Sequence, residues 1–345
     1  MNKLGLDIGS SKIKCVEITA SVSPPKLVSY DISNLPAISL YSDSKADRSE
    51  FIDFIKEYIF SSKFSTNNIV VGLPESKVFT KIIEVPNLSE KELAESIKWE
   101  AQQYFPDSIE NLSLQYQQLP RSSQSPEGEK NKTEVLLVAV NKALIEKYVG
   151  IFEKAGCEVQ GIEPESMAIA RAIQNAPNTP VSLALNIGAD TSDLIISESG
   201  IIRFTRSVSS GMEAFTRAIS QEIGIDLRQA ESYLTSYGLD EGKLEGKIAK
   251  IIRPVVDMVV TEVKRSVVYF ESRKQGRKVE RIVLCGGGAT MPGILQYIVS
   301  AVGIEVEMAD PWKHLAIDSQ KFSESDLNIF GPFFTTAVGL ALKGL

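Results

Sequence analysis

Leu4-Gly5-Leu6-Asp7-Ile8-Gly9-Ser10-Ser11-Lys12-Ile13-Lys14, near the start of the chain, predicts a strand, a tight turn and a second strand. Glycine lets a backbone approach an anion closely, and serine adds hydroxyl and N–H donors. The Asp7 carboxylate has the oxygen chemistry to hold a divalent cation or its water. The turn is therefore a candidate phosphate site, although Asp and Gly also suit the geometry of an ordinary hairpin turn.

Two later glycine turns have a related form. Leu183-Ala184-Leu185-Asn186-Ile187-Gly188-Ala189-Asp190-Thr191-Ser192-Asp193 again joins two apolar segments, and it divides the chain into halves. A third turn, Cys285-Gly286-Gly287-Gly288-Ala289-Thr290-Met291, ends another apolar segment and precedes a helical pattern. Met291 stands where a dinucleotide-binding pattern has its last glycine, and the chain has no GxxxxGK[ST] sequence, so a Rossmann enzyme and a P-loop protein are both excluded.

Composition indicates a globular protein of about two domains, with 345 residues of which 43% are hydrophobic. A net charge of -7 argues against nucleic acid as the main partner, because binding a phosphate backbone needs a basic surface. The three cysteines are far apart in apolar surroundings, which predicts buried thiols, and a single histidine, His314, excludes imidazole-rich metal sites. Met1-Asn2-Lys3 leads straight into the first strand without a signal-peptide pattern, so we expect a cytoplasmic protein.

The segment between the first two turns predicts a small α/β unit inserted into the first half. Ser89 and Glu92 form a capping box, and apolar residues then recur at helical spacing as far as Tyr104. Strand patterns follow at 112–117 and 134–140, and a second helix is predicted over 143–155. Residues 121–132 are too polar to bury apolar surface, and we expect them to form a flexible connection.

Together, the two phosphate-type hairpins and the glycine-rich strand end resemble the actin-like ATPase superfamily. The resemblance implies an α/β fold in which two duplicated halves flank a nucleotide cleft. The inserted unit is similar to the subdomain that FtsA and the PilM family of type IV pilus assembly proteins carry at this place. The PilM pattern is the closer match, carried by Val85-Pro86-Asn87-Leu88-Ser89-Glu90-Lys91-Glu92-Leu93, Ile97-Lys98-Trp99-Glu100-Ala101-Gln102-Gln103-Tyr104-Phe105-Pro106, Val71-Gly72-Leu73-Pro74 and the terminal run from Pro332 to Leu342.

On this resemblance we expect three structural units. The first actin-like half comprises 1–85, 157–181 and 331–345. The inserted subdomain comprises 86–156. The second half comprises 182–330 and includes a helix-rich subdomain at about 222–280.

The resemblance also assigns roles in binding ATP and Mg²⁺. Asp7 and, through water, Asn186 match metal positions, and Glu163 matches the position from which relatives orient the attacking water. For Glu165 we prefer the role of a helix-start acid that the helix dipole stabilises. The residues that match cofactor-binding positions are Asp7, Gly9, Ser10, Ser11, Lys12, Gly188, Asp190, Thr191, Ser192, Gly211, Glu231, Gly286, Gly287 and Gly288.

Three positions depart from the family pattern. Asn186 stands where many relatives have Asp, and Asp190 stands where many have Gly. Asn186 removes a charge that helps hold magnesium, whereas Asp190 adds one near the expected phosphate oxygens. Leu234 replaces a lysine that contacts the ribose in relatives. These changes favour slow or absent ATP turnover.

The function that the resemblance implies is that of a nucleotide-binding interaction module, at most a slow ATPase. It implies that a groove between the inserted subdomain and the first half, near 76–85 and 99–104, docks the N-terminal cytoplasmic tail of a PilN-like membrane protein. The protein would then lie at the inner membrane through this partner, in contact with other inner-membrane pilus proteins and pilus motor ATPases. Two alternatives stay open: a small-molecule kinase that uses Asp7 and Glu163, and an FtsA-like filament protein, which we would expect to continue past Leu345 into a membrane helix.

Overall fold

The structure is a computed structural model that describes residues 2–344 apart from 39, 43, 62–63, 105–107, 120–131, 174–178 and 274–276. Within these ranges, none of the helices combines the length and the apolar character needed to cross a membrane. Cys15, Cys157 and Cys285 are buried free thiols, as their surroundings predict.

The first half is built on a five-stranded sheet with the order β3-β2-β1-β4-β8. Three strands form an antiparallel meander, and two parallel strands extend it on the β1 side. Their bounds are β1 Asn2–Ile8, β2 Lys12–Thr19, β3 Lys26–Asn34, β4 Asn68–Leu73 and β8 Glu158–Pro164. The first glycine hairpin joins β1 to β2 in this meander. It therefore lies at the end of the sheet where β1 ends.

The second half repeats this arrangement with the order β11-β10-β9-β12-β13. Again a meander is followed by two parallel strands. The bounds are β9 Ser182–Ile187, β10 Ser192–Glu198, β11 Ile201–Val208, β12 Arg281–Cys285 and β13 Glu305–Met308. The equal strand orders confirm that the chain consists of two duplicated halves, each opening with a glycine hairpin.

The inserted unit has a three-stranded antiparallel sheet with the order β5-β7-β6, from β5 Val78–Pro86, β6 Leu112–Gln118 and β7 Lys132–Asn141. It begins earlier than the predicted position 86, because β5 is hydrogen-bonded to β7 along its whole length and not to the first half's sheet. Ser89 and Glu92 form the predicted capping box at the start of a helix. Most of the expected flexible connection, 121–131, and the predicted helix stop at Pro106 lie outside the described residues.

Nine helices are described, and they cover the sheets and connect the units. Their bounds are α1 Lys45–Ser61, α2 Glu90–Tyr104, α3 Lys142–Lys154, α4 Glu165–Ile173, α5 Met212–Ile223, α6 Leu227–Tyr237, α7 Lys247–Arg273, α8 Ile294–Val302 and α9 Glu324–Ala341. Helices α5 to α8 cover the largest apolar cluster, which belongs to the second half. Helix α3 packs its aromatic side chains into the cluster of the first half.

Helix α9 lies in close backbone contact with the first half. A Cβ atom on Gly5 of β1 would be 1.9 Å from the carbonyl oxygen of Ala337, and one on Gly339 would be 1.9 Å from that of Ala168 in α4. Both distances are far inside van der Waals contact, so these two positions require the absence of a side chain. The two glycines therefore set how closely α9 approaches β1 and α4.

We predict that Gly339→Ala lowers the free energy of unfolding by about 1–3 kcal/mol, the usual cost of forcing an extra methyl group into a packed interior. Chemical denaturation measures this directly. Gly150→Ala is the matched control, because Gly150 lies in α3 and a Cβ atom added there would have no neighbour within 4 Å. Alanine there should stabilise by up to about 1 kcal/mol through helix propensity. Equal effects of the two substitutions would contradict the close packing of α9.

Candidate functional site

The two glycine hairpins have the same local geometry. The N–H of Gly9 donates to the carbonyl of Lys12 over 3.0 Å, and the N–H of Gly188 donates to that of Thr191 over 2.8 Å. Each turn therefore closes with a glycine bonded to the residue three positions later. This correspondence places the same set of backbone groups at the end of each sheet.

Between the two turns lies a pocket of about 630 Å³, which we call the cleft pocket. Four cationic side chains line it, on β2 and on helices α5 and α6: Lys12, Lys14, Arg217 and Arg228. Of the residues predicted from sequence, the structure brings the following to its wall: Gly9, Ser10, Ser11, Lys12, Gly188, Glu231 and Gly287. Hydroxyls, a glycine turn and several cations fit a polyanion such as a chain of phosphates.

Asp7 lies beneath the first turn in an ion pair. Its Oδ2 atom is 2.5 Å from Nζ of Lys14, and the two side chains are only 5% and 16% exposed. They are directly opposite each other across β1 and β2. In the described ranges no group of three or more His, Cys, Asp or Glu residues could hold a metal ion. A magnesium ion at Asp7 would thus take its other ligands from water and phosphate, as Mg²⁺ usually does.

The second turn uses several predicted side chains internally. The Ser192 hydroxyl donates to the carbonyl of Ser210 over 2.6 Å, and it is fully buried. Thr191 donates to Asp193 over 3.3 Å. Gly211 caps α5 so closely that a Cβ would lie 2.5 Å from the carbonyl oxygen of Ala189. These residues shape the turn, and its backbone is what faces the cleft pocket.

Asp190 is directed towards Glu213 at the start of α5. Burial raises the pKa of Glu213, and the adjacent Asp190 carboxylate raises it further, while Arg217 acts in the opposite direction. Glu213 lines the cleft pocket, whereas Asp190 is exposed and is not among the lining residues. The extra carboxylate at position 190 therefore acts on Glu213, an acid of the pocket wall.

The glycine cluster of the second half differs from its predicted role at two of three positions. Gly287 lies on the pocket wall together with Thr290, Met291 and Phe333. Gly286 instead has a φ of 80° and would place a Cβ 2.5 Å from the Asn186 side-chain oxygen. Gly288 would place its Cβ 2.2 Å from the side chain of Ile187. Gly286 and Gly288 thus allow close packing on the second hairpin, and Asn186 is held in that contact.

Helix α6 brings Glu231 to the pocket wall, while Leu234, one turn later, is fully buried. Leucine at the position of the family's lysine is therefore part of the core.

Glu163, which the resemblance assigns to orienting the attacking water, is not among the residues that line the cleft pocket. Its two carboxylate oxygens accept from Arg171 over 2.6 and 3.0 Å, and Nζ of Lys343 is 3.0 Å away. The side chain is 3% exposed. A carboxylate held by two cations in this way joins β8 to α4 and the end of α9.

Glu165 is the first residue of α4, as predicted, and its carboxylate also lies near the two glycine hairpins. Burial raises its pKa, as do the neighbouring Asp7 and Asp193, whereas Lys14 lowers it. Asp193 is paired across the second hairpin with Asn186, at the place equivalent to the Asp7 and Lys14 pair. The signal for Lys14 and Asp193 was available in the sequence, since each follows its turn glycine by five residues.

Glu75 is a further buried acid, at the junction of all three units. It is 6% exposed, and burial raises its pKa, while the hydroxyls of Ser166, Thr205 and Thr80 act to lower it. Those hydroxyls belong respectively to the first half, the second half and the inserted unit. A pocket of about 230 Å³ adjoins Glu75 between β5 and β11.

Comparisons with known proteins agree with this architecture. A sequence model of the family described as "Type IV pilus assembly protein PilM" matches residues 5–345. The chain is 25% identical over 240 residues to the cell division protein FtsA of Pseudomonas aeruginosa strain PAO1, which covers 62% of this chain and 54% of that protein. The chain thus spans about half the length of the curated relatives it matches.

Two solved structures are similar over nearly the whole chain. The first, described as a PilM-PilN type IV pilus biogenesis complex, has a TM-score of 0.84 and 28% identity, covering 99% of this chain and 98% of the other. The second is MreB5 of Spiroplasma citri bound to AMPPNP, with a TM-score of 0.53 and 14% identity, covering 98% and 94%. The MreB5 likeness shows that the two proteins share a fold.

We predict that Glu75→Gln stabilises the protein more at pH 8 than at pH 4. The folded-state pKa of Glu75 is raised above its ordinary value near 4.5, so the wild type loses stability as pH rises from that value through the raised one. Glutamine does not titrate, and the difference in unfolding free energy between variant and wild type should grow over that window. Denaturant unfolding across the pH range measures it.

Glu84→Gln is the control for this experiment, because Glu84 is a 53%-exposed acid on the same inserted unit. The difference in unfolding free energy between Glu84→Gln and wild type should stay nearly constant with pH. A flat profile for Glu75→Gln would show that Glu75 is not destabilised by ionisation.

Proposed function

The chain belongs to the PilM family of type IV pilus assembly proteins, and on that basis we propose that it is a cytoplasmic docking component of the pilus assembly machinery. In this proposal the inserted unit and the first half hold the N-terminal cytoplasmic tail of a PilN-like membrane protein. The cleft pocket binds ATP with Mg²⁺. The partner keeps the protein at the inner membrane.

The observation that carries this proposal is the match to PilM from the PilM-PilN complex over 99% of the chain, which includes both the inserted unit and the cleft. A relative that kept only the actin-like halves would support a nucleotide role and say little about a partner. Here the partner-binding relative shares the complete architecture.

The cleft pocket has the donors that nucleotide phosphates need. Turn backbone at Gly9 and Gly188, hydroxyls of Ser10 and Ser11, and the surrounding cations converge on one space. When bound, the magnesium would neutralise phosphate charge. Lys14 holds Asp7 in place from the opposite strand, and Glu231 is positioned to accept from a ribose hydroxyl.

The junction of the first half and the inserted unit offers a surface for an extended tail. Tyr41 at this junction is 38% exposed, and Phe79 of β5, which lines the small pocket beside β11, is 40% exposed. Nζ of Lys77 lies 5.0 Å from the centre of the Tyr41 ring, and Lys147 donates to the carbonyls of Tyr41 and Ser42 over 2.9 Å each. Half-exposed aromatic rings beside cations are typical anchors for a peptide.

We expect magnesium-ATP to stabilise the wild type by about 2.7 kcal/mol at 100 times its dissociation constant. Asp7→Asn should lose the part of this stabilisation that depends on magnesium, because asparagine lacks the charge that holds the ion's water. Thermal unfolding with ATP, with and without magnesium, measures both quantities. Glu222→Gln, an exposed acid on α5, should behave as wild type. The absence of any shift in the wild type would contradict nucleotide binding.

We expect Phe79→Ser to weaken binding of the partner's N-terminal peptide by roughly tenfold or more, in line with the loss of an aromatic anchor. Fluorescence anisotropy of a labelled peptide measures this. Val299→Ser is the matched control, since Val299 is also 40% exposed but lies on α8 of the second half. Equal affinities of the two variants would remove β5 from the docking surface.

A further inference from the structure

The inserted unit is attached to the first half at both ends. Strand β4 of the first half ends at Leu73 and β5 begins at Val78, while α3 ends at Lys154 and β8 begins at Glu158. Helix α3 also packs Tyr148, which is fully buried, into the first half's apolar cluster. The inserted unit must therefore move with the first half whenever the two halves change their relative angle.

The same unit is also in contact with the second half, through an ion pair whose arginine is buried and whose carboxylate is partly exposed. Nη1 of Arg203 on β11 is 3.1 Å from the Glu134 carboxylate on β7, and the Arg203 side chain is 3% exposed. Nε of Arg203 is also 3.0 Å from Glu198 of β10, and Glu198 is 2.5 Å from Arg277. Arg203 is thus held within the second half by Glu198 and reaches across to the inserted unit.

An apolar cluster surrounds this contact and includes side chains of all three units. Leu119 and Leu136 of the inserted unit are 4% and 2% exposed. They belong to one cluster with α4 residues of the first half and sheet residues of the second, namely Ile169, Ala170, Ala184, Ile195, Ile202 and Val283. The N–H of Leu119 donates to the carbonyl of Glu134 over 2.9 Å, which ties the apolar contact to the ion pair.

We propose that this contact, centred on Glu134 and Arg203, transmits the nucleotide state of the cleft to the partner-binding surface. The inference rests on the proposed function, and it names the regulation of that site. A nucleotide between the halves favours the angle at which both turns reach the phosphates. The inserted unit is fixed to the first half and contacts the second half. A change in the angle between the halves therefore changes the contact between the inserted unit and the second half.

The size of the coupling between nucleotide and peptide depends on how differently each ligand binds at the two angles between the halves. A ligand shifts a conformational equilibrium only by its differential affinity for the two states. A contact made at one angle and broken at the other supplies such a difference, because breaking it leaves the buried Arg203 guanidinium with one carboxylate partner fewer. Linkage then requires that nucleotide and peptide change each other's affinity by the same factor, typically 5- to 150-fold.

The test measures the peptide dissociation constant with and without saturating magnesium-ATP, and the ATP constant with and without peptide. The probe is the labelled N-terminal cytoplasmic peptide of the PilN-like protein. We expect wild type to show a coupling factor of about 5 or more. Glu134→Gln should reduce it to within about twofold of unity, because Arg203 keeps Glu198 but loses its ion pair with Glu134 on the inserted unit. Glu134→Lys, which places two cations together, should do the same.

Glu84→Gln is the matched control, because Glu84 pairs with Lys132 over 3.1 Å within the inserted unit. It should keep the wild-type coupling factor. A wild-type factor of one while both ligands bind would overturn the inference and leave the proposed function standing. Equal coupling in Glu134→Gln and wild type would also overturn it. Failure of either ligand to bind alone would contradict the proposed function and the inference with it.

Discussion

The structure depends on the close packing of helix α9, which touches both halves of the molecule. Its C-terminal part lies against β1 and α4 at distances that only Gly5 and Gly339 allow. Its middle accepts a hydrogen bond from the N–H of Gly286 to the carbonyl of Pro332 over 2.8 Å, at the glycine turn of the second half. Phe333 of the same helix lines the cleft pocket. Helix α9 thus contacts both β1, which leads into the first glycine hairpin, and the glycine turn that lies beside the second hairpin.

The inserted unit adds a second connection on another side of the halves. It is held to the first half by its chain ends and the ring of Tyr148, and to the second by the Glu134 and Arg203 pair. Glu75 lies where these units meet, with a pKa raised by burial. Charged groups are costly to bury unless they are paired, so a junction of this kind is sensitive to small changes in geometry. This sensitivity is what a docking protein needs if a ligand in its cleft is to affect its partner.

Much of the architecture could be predicted from sequence, because it is encoded locally. Glycine hairpins, apolar strands and a capping box each depend on neighbouring residues, and the duplicated halves and the inserted unit followed from them. The start of the inserted unit was misplaced because an isolated strand such as β5 does not reveal which sheet it joins. The Glu134 and Arg203 contact was likewise not predicted, because the two residues are 69 positions apart in the sequence.

The surroundings of the two acids at the start of α4 were the other point that local patterns did not resolve. Glu163 and Glu165 flank one proline, but the chain passes from strand to helix between them. Their side chains consequently enter different surroundings: Glu163 meets Arg171 and Lys343, and Glu165 lies near Asp7. Trp99 is 72% exposed on α2, although an aromatic residue on an amphipathic helix is more often part of the core. Only the three-dimensional arrangement separates such cases.

The most direct test of docking by the inserted unit is hydrogen exchange of the full chain with and without the PilN-like N-terminal peptide. We expect the peptide to slow amide exchange in β5 and in the segment around Tyr41, where the inserted unit meets the first half. Added magnesium-ATP should slow exchange at the two glycine hairpins. Protection by the peptide confined to the second half, for example to α8 and β13, would contradict it.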